Sequence, residues 1–124
     1  MKAKLFQNKI VVKTSSTHGY GVFTLKALRK GAIIEECYLI LSKKGGDKGL
    51  EDYYFDAKGK YGVMTGFGSI YNHSDEPNAD YAISIRNKLA TITAQRALKA
   101  GEEILISYGD EWFSSRGLKA KHKK

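Results

Sequence analysis

Thirteen glycines against a single proline punctuate this 124-residue chain, and the runs between the breaks are short and β-type. Ile10-Val11-Val12-Lys13, Gly21-Val22-Phe23-Thr24-Leu25, the longer run from Ile33 to Leu41, Leu89-Ala90-Thr91-Ile92-Thr93-Ala94 and Ile104-Leu105-Ile106-Ser107-Tyr108 are rich in β-branched and aromatic residues, which fit a pleated, half-buried surface. Lys30-Gly31 leads into the long strand, Lys43 to Gly49 reads as an exposed loop, and Leu98 to Glu103 turns the chain ahead of the last strand. Only Ser69 to His73 and Asp110 to Ser115 look locally capable of helical turns. No internal repeat and no Pro/Ser-rich linker is visible. Short strands joined by glycine turns predict one mostly-β domain of several small sheets. A domain of this length buries roughly two-thirds of the surface its unfolded chain exposes, enough for a core without covalent staples.

Composition then excludes several classes. The single cysteine, Cys37, rules out an intramolecular disulfide, and one cysteine with three scattered histidines does not make the paired, four-ligand pattern of a structural zinc site. No metal site is expected. Cys37 lies inside an apolar run and reads as a buried structural thiol. Met1-Lys2-Ala3-Lys4 is basic, but no apolar signal-peptide region follows it, and no apolar run reaches membrane-spanning length. The expectation is a soluble, intracellular protein without membrane contact. The formal net charge is +8, with four lysines and a histidine in residues 119–124. Residues 1–118 read as the domain and 119–124 as a basic, disordered tail, able to touch nucleic-acid phosphates without reading sequence.

Three segments carry chemistry. Gly19-Tyr20-Gly21-Val22-Phe23 sets an aromatic between two glycines, where backbone can approach a ligand closely. Alone it is a common turn. Gly66-Phe67-Gly68-Ser69-Ile70-Tyr71-Asn72-His73-Ser74, with Pro77-Asn78 just beyond, is a rarer glycine-spaced aromatic run ending in three polar side chains. Gly101-Glu102-Glu103-Ile104-Leu105-Ile106-Ser107-Tyr108-Gly109-Asp110 is a turn, a strand and a second polar terminus.

In this order the segments resemble the SET-domain protein-lysine methyltransferases, whose pattern runs from Gly-X-Gly through Asn-His-Ser to a Glu-Glu strand ending in Tyr-Gly. Lys30-Gly31 followed by Glu35-Glu36-Cys37, then Leu50-Glu51-Asp52-Tyr53, Gly66-Phe67-Gly68 and Ile106-Ser107-Tyr108-Gly109-Asp110 look most like the minimal, free-standing members of large DNA viruses of algae. The likeness spans roughly residues 8 to 113. It implies an irregular β fold of the β-clip type, in which the C-terminal segment threads beneath a loop in a knot-like arrangement and brings Asn72-His73 to Tyr108-Gly109. By the same likeness Gly19, Tyr20, Gly21, Asn72 and His73 would hold S-adenosyl-L-methionine, with Trp112 or Phe113 covering it or closing the lysine channel. Tyr108 would be the catalytic tyrosine, and Tyr53, Ile106, Tyr71 and Tyr81 would line the lysine channel. It also implies a homodimer, and a compartment of host nucleus or virion for a viral protein, cytoplasm for a bacterial one.

These residue types suit the reaction. A lysine must be neutral to attack a methyl group, yet its free pKa is about 10.4, so deprotonation at neutral pH costs roughly 4–5 kcal/mol. A dry channel and a nearby positive sulfonium both disfavour the ammonium form. A tyrosine hydroxyl stays neutral, accepts a hydrogen bond from the amine and helps to hold it in line. Asp110 need not be catalytic and reads as structural, while His73 is better suited to hydrogen-bond cofactor or backbone than to act as base. Ile106 stands where many family members carry a tyrosine or phenylalanine that influences how many methyl groups are added, a phenol tending to limit the number; without that hydroxyl the product is expected to be di- or trimethyl-lysine. The implied substrate is a histone H3 tail lysine in an Ala-Arg-Lys-Ser context, or another lysine-containing protein. A basic tail would be attracted by local acids: Glu35, Glu36, Glu51, Asp52, Asp75 and Glu76 are the clusters available. The rival reading is a binding module that keeps the fold without catalysis.

Overall fold

The computed structural model describes residues 4–16, 19–42, 55–57 and 60–108, and every regular element among them is a strand. These are β1 (Ile10–Thr14), β2 (Tyr20–Thr24), β3 (Ile33–Ser42), β4 (Phe55–Ala57), β5 (Lys60–Met64), β6 (Asn72–His73), β7 (Ala79–Ser84), β8 (Leu89–Ala94) and β9 (Glu103–Ile106). They form a four-stranded sheet in the order β1-β2-β9-β6 and a five-stranded sheet in the order β4-β5-β3-β8-β7. All neighbours are antiparallel except β6 and β9, which run parallel with Asn72 opposite Leu105 and His73 opposite Ile106. One core joins both sheets, centred on Val22, Ile34, Leu39, Met64, Ile92, Ile104 and Ile106. Among the described residues no helix is long and apolar enough to cross a membrane.

β3 departs from simple alternation, and that departure shapes the site. Its pairing with β8 shifts register between Ile33 and Glu35, and the four residues Ile34, Glu35, Glu36 and Cys37 are all buried in succession. A bulge of this kind re-aims side chains, while the chain before β1 covers the other edge: Asn8 N–H donates to Ile34 O and Glu36 N–H to Phe6 O, each at 2.8 Å.

β9 is gripped from both sides. β2 pairs along one edge, and on the other the 72–78 stretch curls around it, Ser74 N–H donating to Ile106 O at 2.9 Å and Asn78 N–H to Leu105 O at 3.1 Å. The fully buried Asn78 side chain finishes the clamp, accepting from Leu105 N–H through Oδ1 and donating to Glu103 O through Nδ2, both at 2.8 Å. A buried amide is stable only when its donors and acceptor are used; here they tie the loop to the strand.

Two expectations are corrected. Residues 69–73 are not a helical turn: residues 66–70 form successive tight turns, with Gly68 N–H on Thr65 O and Ile70 N–H on Phe67 O, and Asn72–His73 is extended. Gly66 sits at φ +63°, which breaks a right-handed helix, and the parallel pairing with β9 claims the backbone that a helix would have used. Second, there is an internal repeat. Lys26-Ala27-Leu28-Arg29-Lys30-Gly31 and Arg96-Ala97-Leu98-Lys99-Ala100-Gly101 fold alike and meet face to face. Leu28 and Leu98 exchange backbone hydrogen bonds at 3.0 and 2.9 Å, Gly31 N–H donates to Ala94 O at 2.8 Å, and Gly101 N–H donates to Thr24 O at 2.7 Å. Both glycines hold φ +86°. A basic-Ala-Leu-basic-X-Gly string is far shorter than the repeat units of roughly 20–50 residues that self-comparison finds. The other expected helical turn, at 110–115, lies outside the described residues.

Candidate active site

The β6–β9 pairing carries the site. Because β6 is parallel to β9, the chain leaves both strands in the same direction and His73 arrives beside Tyr108. Tyr108 N–H donates to His73 Nδ1 at 2.8 Å and the rings lie 5.2 Å apart between centroids. An imidazole that accepts at Nδ1 carries its proton on Nε2, and that nitrogen faces Asp75 Oδ1 at 3.0 Å. His73 therefore brackets the stretch that runs from β9 into Tyr108. The Tyr108 hydroxyl donates to Tyr71 O at 2.6 Å. With its only proton committed to that carbonyl, the oxygen has lone pairs to offer an incoming N–H.

Asn72 binds the other end of the site. Its Nδ2 donates to Tyr20 O at 3.0 Å and to Glu103 Oε2 at 2.8 Å, while Ser15 Oγ donates to Glu103 Oε1 at 2.7 Å. Gly21 lies directly against this knot: a Cβ there would strike the Glu103 carboxylate and stand 3.0 Å from Asn72 Nδ2. Gly21→Ala is therefore expected to overpack the junction and lose about 1–3 kcal/mol, measured by chemical denaturation. An unchanged unfolding midpoint would show that Asn72 and Glu103 yield freely.

Beneath the site is a buried carboxylate that sequence reasoning placed elsewhere. Glu35 and Glu36 stood among the acids available to draw in a basic tail; the structure buries both, so they cannot serve that purpose. The bulge in β3 is the physical reason. Glu35 Oε1 accepts from the Tyr71 hydroxyl at 2.7 Å, and Oε2 accepts from Phe67 N–H and Gln7 Nε2, each at 3.0 Å. Burial first, and then the Glu35 charge, push both the Tyr71 phenol and the Cys37 thiol far above their ordinary ranges. Cys37 is thus an inert buried thiol. A chain of contacts runs from Glu35 through the Tyr71 ring to the Tyr71 carbonyl and on to the Tyr108 hydroxyl. Two acids in a row inside an apolar strand were the available signal for it.

The remaining candidates separate. Tyr71 contributes its carbonyl to Tyr108, while its side chain is buried in the core and ends at Glu35. Ile106 is fully buried opposite His73. Tyr81 lies on β7 opposite Ile92, packed against the core within the five-stranded sheet. Tyr20 is 66% exposed, a ring standing free next to the carbonyl that Asn72 holds. Asp75 and Glu76 are exposed. Tyr53, Trp112 and Phe113, with Glu51, Asp52 and Asp110, lie outside the described residues. Asn78 and Glu103, which help to hold β9 in place, stood within the segments singled out by sequence but were given no role there. Among the described residues, no three His, Cys, Asp or Glu side chains gather as a metal site would require.

The family profile described as SET domain matches residues 19–109. A Schizosaccharomyces pombe protein named "Histone-lysine N-methyltransferase, H3 lysine-37 specific" is 29% identical over 128 residues, covering 97% of this chain and 87% of its own. The crystal structure of a Plasmodium falciparum protein described as a "putative histone methyltransferase" superposes with TM-score 0.76 at 37% identity, covering 86% of this chain and 98% of that one. A chain of the ctPRC2 complex superposes with TM-score 0.69 at 23% identity, matching 86% of this chain but 15% of its own, a likeness of fold.

Proposed function

Because this chain belongs to the SET-domain family, we propose that it transfers a methyl group from S-adenosyl-L-methionine to a lysine of a histone H3 tail. The observation that carries the reading is Tyr108, its hydroxyl fixed by Tyr71 O and its backbone by His73 Nδ1. No proton acceptor other than solvent is needed for a lysine that reaches such a site already neutral, and a half-buried tyrosine supplies a dry, uncharged wall favouring that form.

The residues fit the cofactor by the donor set and the space they offer. Tyr20 presents an exposed ring, and Gly19 has open space where a side chain would stand. Asn72 and His73 bring two polar groups beside them on β6. When bound, the cofactor supplies an electrophilic methyl on a positively charged sulfur. Tyr20, with the glycines on either side, would take the flat, polar body of the molecule, and Asn72 would keep β2 and β9 at the spacing it requires. Tyr108 would accept the amine's hydrogen bond and hold the nitrogen in line.

The histone substrate is supported by the names of the yeast and Plasmodium relatives. The sequence motifs favour the Ala-Arg-Lys-Ser site, whereas the yeast relative's name gives a different H3 lysine. Calorimetry is expected to show cofactor binding, and mass spectrometry of H3 peptides covering both sites to show methylation at one of them. Binding without methylation of any H3 peptide would withdraw the histone assignment. Ile106 offers no hydroxyl to restrain the amine, so under enzyme excess the product is expected to pass beyond one methyl. A product that stays monomethylated would remove Ile106 from that role. The motif likeness to compact viral enzymes supports a homodimer as well, which light scattering showing only monomer would exclude.

A further inference from the structure

The repeated turns face each other and are both basic. Lys26, Arg29 and Lys30 come from one and Arg96 and Lys99 from the other, all exposed. Leu28 and Leu98 point inward, buried, and pair directly. Arg29 and Lys99, each one residue further on, therefore emerge on the opposite, solvent face of the same two-stranded bridge, diagonal to one another. Diagonal neighbours of this kind stand roughly 7–8 Å apart. Arg96 is engaged, donating to Glu102 Oε2 and to Ala97 O. Burial works against the Glu102 charge, but hydrogen bonds from Arg96, Lys99 N–H and Asn78 hold its carboxyl below the usual carboxylate range. Glu102 thus cancels Arg96 and nothing else. Among the described residues, Lys26, Arg29, Lys30 and Lys99 make no ion pair.

We propose that this pair of turns is a docking surface for the phosphate backbone of duplex nucleic acid, separate from the Tyr108 site. Four cations that make no ion pair among the described residues, clustered and repelling one another, gain most from a polyanion whose counterions they displace. The local two-fold relation of the turns matches the dyad of a duplex: one turn can address each strand, with Arg29 carried by one and Lys99 by the other. Between the charges the bridge exposes only the small side chains of Ala27 and Ala97, and the exposed Leu25 stands one residue before the first turn. Catalysis plays no part in this binding.

Its test is fluorescence anisotropy of a labelled duplex DNA with the full chain, comparing Arg29→Ala/Lys99→Ala with a variant carrying alanine at Lys119, Lys121, Lys123 and Lys124. Both substituted turn positions are exposed, and the thermal melt is expected to be unchanged. The turn variant is expected to bind about tenfold more weakly, with the slope of log K against log salt reduced by about one for each phosphate no longer neutralised. Arg29→Lys is expected to keep the slope. Turn-variant affinity and slope equal to the parent's would overturn the proposal, as would loss of DNA binding confined to the tail variant. So would a turn variant that loses an acidic polypeptide, polyglutamate, but keeps DNA.

Discussion

Tyr108→Phe is expected to cut methyl transfer by about two to three orders of magnitude while cofactor binding survives. The size follows from removing one positioned hydrogen-bonding group from a reaction centre. The split follows from this structure. Phe keeps the ring against His73, and the bond to Nδ1 comes from the backbone N–H, which no side-chain change removes. What disappears is the hydroxyl at 2.6 Å from Tyr71 O, leaving that carbonyl one partner short at a cost of about 1 kcal/mol. Steady-state kinetics should therefore show kcat collapsing, calorimetry an unchanged cofactor affinity, and the melt only a small shift. Full activity in the variant would remove Tyr108 from the chemistry. A parallel loss of cofactor affinity would mean that the hydroxyl shapes the pocket and does not serve the amine.

The second large effect is on folding. Glu35→Ala is expected to destabilise the domain by about 3 kcal/mol or more, since the Tyr71 hydroxyl, Phe67 N–H and Gln7 amide all lose their acceptor, and a donor left unsatisfied costs about 1–3 kcal/mol each, most where burial is deepest. For a domain of about a hundred residues each kcal/mol moves the melt by roughly 4–8 °C, so a drop of about 10 °C or more is the expected reading. Glu76→Ala, at an exposed position between the buried Ser74 and Asn78, is the control and should stay within about 0.5 kcal/mol. Since Tyr71 bridges Glu35 to Tyr108, the folded fraction of the Glu35 variant should also turn over more slowly. A melt indistinguishable from the control's would contradict the buried network.

The strands were legible where β-branched residues cluster, as in Leu89–Ala94 and Ile104–Ile106, because side-chain shape decides such runs locally. The meeting of Asn72-His73 with Tyr108 was legible only through a motif likeness, since the partners are over thirty residues apart and only tertiary pairing sets their register. Three features escaped for the same reason. The bulge at Ile33/Glu35 turns two acids inward although their sequence positions alternate. The 69–73 segment has helical propensity, but Gly66 and the pairing with β9 override it. The matched turns at 26–31 and 96–101 share a short string whose meaning appears only when Leu28 meets Leu98. Asn78 and Glu103 resemble ordinary polar residues until folding sets the Asn78 amide against the β9 backbone and the Glu103 carboxylate, on β9, against Ser15 and Asn72.

The most direct measurement is transfer of radiolabelled methyl from S-adenosyl-L-methionine to purified core histones and to a cell lysate, with the labelled residue mapped, for the parent chain and Tyr108→Phe side by side. The account predicts label on a lysine of H3 with the parent and almost none with the variant. No label on any lysine, at concentrations where calorimetry shows the cofactor bound, would contradict it and leave a SET-fold binding module without catalysis.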